Sequence, residues 1–98
     1  MRVEENKSED GRLTRYLRSA ADRLERLEDY DESGQLTMTV DYQYDDRGRN
    51  TERVVCRADG KQLRRLTFEF RDSTTGAVHR EYDENDTLVF TRFDKNAL

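Results

Sequence analysis

The chemistry-bearing side chains of this chain are few. Cys56 is its only cysteine and His79 its only histidine, so one Cys–His pair exhausts the options for a base-activated thiol nucleophile. A lone cysteine also excludes an internal disulfide and any zinc site built on several thiolates. Residue alternation sets Cys56 beside Val54 on a buried strand face and His79 on the face opposite Val78, so the two are not expected to meet. Asp29, Asp31 and Ser33, followed by Gly34, match the first half of a calcium loop, with oxygens at positions one, three and five and glycine at six. Val40 stands where the bidentate glutamate belongs, which leaves Asp29, Asp31 and Ser33 as weak candidate ligands and predicts no resident metal. The remaining acids cluster in turns, where water screens them, and no glycine-rich phosphate loop is present. The expectation is a non-enzyme with no cofactor.

Charge is more informative than nucleophiles. The chain has 98 residues, 41% of them charged, with a net charge of −4. Residues 47–71 carry eight basic and three acidic side chains, net +5, whereas residues 1–34, 35–46 and 72–98 each carry net −3. Within the basic island, alternation groups Arg49, Arg53 and Arg57 on one strand face. Arg65 and Arg71 of the next strand are expected to point the same way, making a five-arginine surface for an anionic partner. Cross-strand pairing with Asp41, Glu69 and Glu81 is the competing use of these arginines, at about 0.2–1 kcal/mol per pair.

Those side chains need elements to hold them. Residues 1–7 are polar and aperiodic and read as a flexible tail, leaving 8–98 as a single domain. Ser8 suits a helix N-cap, and Leu13, Leu17, Ala20, Leu24 and Leu27 then recur at steps of four and three. They would fall within an arc of about 80° on a helix ending near Tyr30, with Arg12, Arg15, Arg23 and Arg26 on one flank. From Leu36 the period changes to two: Leu36, Met38, Val40, Tyr42 and Tyr44 alternate with polar residues, the mark of a half-buried strand. Turns at 45–48, 58–60, 72–76 and 83–86 separate further strands over about 49–57, through Leu66, Phe68 and Phe70, over 78–82 and over 88–93. Short turns make consecutive strands antiparallel neighbours. The predicted fold is α+β, one N-terminal amphipathic helix packed on a five-stranded antiparallel β-meander.

The stretch from Tyr30-Asp31 to Gly34 and Leu36, and again from Tyr44-Asp45 to Gly48, resembles the Tyr-Asp repeat of Rhs-type toxin shells, with Tyr82-Asp83 as a fainter echo. The likeness covers two turns and uses residues that any antiparallel turn prefers. Such shells need many repeats, more than 98 residues hold, and no function is carried across.

Composition bounds what is left. No stretch approaches the roughly 18 apolar residues of a membrane span, and the first residues have no apolar run of a secretory signal. The chain is therefore expected in the cytoplasm, away from membranes. Leu, Val and Phe number 9, 6 and 4, a thin supply for a core, so a second copy or a partner is expected to complete it. The leading expectation is a small protein–protein interaction module, an adaptor, inhibitor or immunity-type protein, that binds an acidic protein surface through Arg49, Arg53, Arg57, Arg65 and Arg71. Nucleic-acid binding by the same face is the second reading, disfavoured by a pI near 5.1. A calcium-stabilised module is the third.

Overall fold

The computed structural model describes residues 2–70 and 76–94. Eight strands follow one another in a single antiparallel sheet whose spatial order is the chain order. They are β1 (Arg2–Lys7), β2 (Leu13–Arg18), β3 (Leu24–Tyr30), β4 (Leu36–Tyr44), β5 (Asn50–Arg57), β6 (Gln62–Phe70), β7 (Ala77–Tyr82) and β8 (Leu88–Asp94). The described residues contain no helix, which corrects the α+β prediction: the segment expected as an N-terminal helix is β2, a turn and β3, and residues expected as a tail form β1. Among the described residues no helix is long and apolar enough to cross a membrane.

The turns explain the architecture. In each of six hairpins the first turn residue takes a hydrogen bond from the backbone N–H of the fourth and donates its own to the carbonyl of the fifth, as in Asp31 with Gly34 and Gln35. The fourth residue is always left-handed: Gly11, Gly34, Gly48 and Gly60, but also Asp22 at φ 63° and Asp86 at φ 61°. Glycine adopts that region without steric cost, and aspartate is among the few other residues that tolerate it. Where the first residue is Ser or Asp its side chain caps the turn. Asp31, Asp45 and Asp83 each accept two backbone N–H bonds through Oδ1, and Ser8 and Ser19 each accept one. Ser19-Ala20-Ala21-Asp22 is such a turn. Ala20 of this turn continues the helix-like spacing of Leu13 and Leu17, and Asp22 stands where four other turns carry glycine.

Among the described residues no second layer covers the sheet. Among the described residues only Thr39, Val40, Gly76, Ala77 and Val78 are buried. The radius of gyration is 15.2 Å, against about 12.6 Å for a compact chain of this length. The accessible surface is 6734 Å², against about 5,900 Å² for a monomer of this mass. Stability therefore rests on ladder hydrogen bonds, capped turns and cross-strand pairs rather than on a sandwiched core.

Candidate functional site

Register decides which side chains share a face, because directly opposed residues on antiparallel strands project to the same side. Between β4 and β5, Tyr42 opposes Arg53. Between β5 and β6, Arg53 opposes Leu66 and Val54 opposes Arg65. Between β6 and β7, Phe68 opposes His79, and His79 in turn opposes Arg92 of β8. Tyr42, Arg53, Phe68, His79, Phe90 and Arg92 thus form a row across five strands on one face.

The row is held by ring contacts. The Arg53 guanidinium lies 5.6 Å from the Tyr42 ring centroid and 5.4 Å from that of Phe68, and its Nε donates to Asn50 Oδ1 at 2.8 Å. Phe68 and His79 are stacked, 4.8 Å apart with planes at 20°. His79 meets Phe90 edge-on at 5.9 Å, and Arg92 lies 6.0 Å from the Phe90 centroid. Beside the row, Arg49 sits 4.7 Å over Phe70. Cation–ring contacts contribute about 0.5–1 kcal/mol where exposed and more when desolvated. Burial pushes the Tyr42 hydroxyl above the ordinary tyrosine range, against the opposing pull of the Arg53 charge.

The other face is laid out differently. Glu5, Arg15, Glu28, Arg26 and Asp41 make a continuous chain of opposite charges over β1 to β4, with separations of 3.3, 3.5, 3.7 and 3.7 Å. Over β5 to β7, Arg65 pairs with Glu52 at 3.3 Å and with Asp86 of the last turn at 2.9 Å. Its guanidinium lies 4.1 Å from the Tyr82 centroid. Arg80 pairs with Glu69 at 2.9 Å.

The five predicted arginines are accordingly divided. Arg53 and Arg57 are exposed on the aromatic face, Arg57 opposite Met38. Arg65 stands on the charged face. Arg49 belongs to a turn, where its Nε donates to Asp45 Oδ2 at 2.8 Å. Arg71 lies outside the described residues. The cause of the split is one residue. Cys56 opposes Gln62, but Val55 opposes Arg64, so a bulge at this point shifts the register. Without it, Arg53 and Arg65 would share a face, as expected from alternation; a single extra residue reverses the faces of everything beyond it.

Cys56 is half-buried opposite Thr39 on the charged face, whereas His79 is on the aromatic face with β6 between the two strands. Asp29 accepts the Thr14 hydroxyl at 2.7 Å. Asp31 takes up the Ser33 hydroxyl at 2.6 Å and the backbone N–H groups of Ser33 and Gln35, so its carboxylate serves its own turn. A polar groove of about 610 Å³ beside them is lined by Asn6, Asp10, Thr14, Asp29, Asp31 and Thr37 among others. Among the described residues no three His, Cys, Asp or Glu side chains gather to hold a metal ion.

Sequence reasoning did not assemble Tyr42, Phe68, His79, Phe90 and Arg92. Each strand taken alone shows its alternation, but joining them into one row requires the bulges. Compared with known proteins, the chain matches no family model, no curated protein and no solved structure.

Proposed function

We propose that this chain is a non-enzymatic protein–protein interaction module, of the adaptor, inhibitor or immunity kind, acting in the cytoplasm. It presents the aromatic face, centred on Arg53 and Phe68, to an acidic surface of a partner protein. The observation that carries this reading is the row of rings and guanidinium groups on a sheet that no second layer covers among the described residues. Aromatic residues and arginine are the types most enriched where protein interfaces concentrate their binding energy. Arg53, Arg57 and Arg64 add a positive rim to that face, whereas the arginines of the opposite face are engaged with carboxylates.

Photo-crosslinking tests it by contrasting the two faces in the source cell. A photoreactive residue at Arg53 is expected to yield a discrete protein adduct, and one at Arg26 on the charged face is expected to yield none. Equal adducts from both positions, or none from Arg53, would overturn the reading. A second reading gains one specific observation: Arg53 lies between two rings, as in single-strand nucleic-acid platforms. A gel shift at low salt separates the two, since phosphate binding weakens steeply as salt rises.

A further inference from the structure

The two edge strands of the sheet are chemically unlike. Along β1, Arg2, Glu4, Glu5 and Lys7 are exposed, and Glu4 and Glu5 are tied to Arg18 and Arg15 of β2. Charged side chains on an edge are a common guard against pairing with another chain. Along β8 stand Leu88, Val89, Phe90 and Phe93, exposed by 50, 59, 42 and 51%. Arg92 is the one cation of that strand. Half of the backbone groups of any edge strand point away from the sheet, and here they are flanked by apolar side chains.

We infer that β8 pairs antiparallel with β8 of a second copy of this chain, continuing the sheet across a twofold axis. Parity and charge select the occupant and the register. A twofold axis normal to the sheet sets residues of the same face opposite each other, so the dyad passes through a residue rather than between residues. Centred on Arg92, the pairing would oppose Arg92 to its own copy. Centred on Phe90, the pairing would run directly into the bulge at Val89, which turns Leu88 to the face opposite Phe90 and Arg92. Centred on Thr91, it opposes Phe90 to Arg92 twice, and the regular pairing stops short of the bulge at Val89. That register repeats between copies the cation–ring contact that Arg92 and Phe90 already make within one chain. Phe90 and Arg92 belong to the aromatic row, which would then run unbroken through both copies. Pairing β8 with β1 of another copy is the competing arrangement. It would press Glu4, Glu5 and Lys7 against Phe90 and Phe93, and, being head-to-tail, it need not close. The twofold arrangement closes at two copies.

Two measurements on the full chain test this. Amide hydrogen exchange of the unmodified protein at rising concentration is expected to slow in β8 and to stay unchanged in β1. No slowing in β8, or equal slowing in β1, would overturn the inference. In a Cys56→Ser background, Thr91→Cys is expected to give a disulfide-linked dimer on mild oxidation, because residues facing each other across an antiparallel pair lie near disulfide distance. Val3→Cys in the same background is expected to stay monomeric. A Thr91→Cys variant that remains monomeric, or species that keep growing with concentration, would contradict the twofold pairing. Circular dichroism shows whether each variant retains the sheet, and the exchange result on the unmodified chain decides without any substitution.

Discussion

The two faces of this sheet solve the same problem by different means. One face joins its strands with alternating carboxylates and guanidinium groups, from Glu5 through Arg15, Glu28 and Arg26 to Asp41. The other joins them with rings, from Tyr42 through Arg53, Phe68 and His79 to Phe90. Ion pairs at a surface gain little and are screened by salt. Rings remove apolar area from water, a gain that salt does not screen. A single-layer sheet can thus leave one face satisfied with solvent while the other remains under-covered.

The largest effect is expected on the aromatic face. Phe68→Ala removes the stack on His79 and the seat of Arg53 together, and should cost about 2–3 kcal/mol in urea unfolding. A loss no greater than that of any charged-face variant would show that the rings contribute no more than the ion pairs. Next comes a residue on neither face. Gly48 has φ +80°, and a Cβ there would come within 2.9 Å of the Arg23 guanidinium. Gly48→Ala should therefore cost about 1–2 kcal/mol for the left-handed backbone, with the Arg23 contact on the Tyr44 ring displaced. Glu28→Gln should cost about 1 kcal/mol, because Glu28 joins Arg15 to Arg26 and accepts the Tyr30 hydroxyl at 3.0 Å. That cost should shrink in high salt, whereas the cost of Phe68→Ala should not.

The smallest effects appear in the pH profile, where turns and faces separate. Hydrogen bonds hold four turn carboxyls below the ordinary aspartate range: the Ser8 hydroxyl for Asp10, the Ser33 hydroxyl for Asp31, the Arg49 backbone N–H for Asp45 and the Arg65 side chain for Asp86. Each folded pKa lies below its unfolded value. The stabilisation is therefore present above about pH 4 and is lost as pH falls through the folded values. Tyr42 is raised by burial, so its contribution is present below about pH 10 and is lost as pH rises. Asp31→Asn should flatten part of the acid limb, and Tyr42→Phe should remove part of the alkaline one. Denaturation midpoints against pH measure both, and an alkaline limb unchanged by Tyr42→Phe would remove Tyr42 as its source.

The legible part of the fold runs from Leu36 onward. Strict alternation from Leu36 to Tyr44 and the glycines at 48 and 60 identify strands and turns directly. Before Leu36 two periods compete: Leu13 and Leu17 are four apart, which suits a helix turn and a strand face equally. Ala20, Leu24 and Leu27 extend the steps of three and four and so favour a helix. The deciding signal was present in the spacing. Ser8 to Gly11 followed by Arg12-Leu13, and Ser19 to Asp22 followed by Arg23-Leu24, have the form of Asp31 to Gly34 followed by Gln35-Leu36. Aspartate in place of the second glycine concealed it. The candidate site was less legible, because face membership depends on bulges. Alternation groups Arg53 with Arg65, whereas the bulge beyond Val55 sets it on the face of Phe68.

Each described strand touches only the strands before and after it in the chain. Such a molecule is energetically close to one-dimensional: its stability adds hairpin by hairpin, and damage to one junction isolates the two sides from each other. Among the described residues strand contacts join only consecutive strands, so folding can start at whichever hairpin forms first and spread outward. Loss of structure is expected to begin at the edge strands, which have a neighbour on one side only, and to move inward toward the strands that carry buried Val40 and Val78.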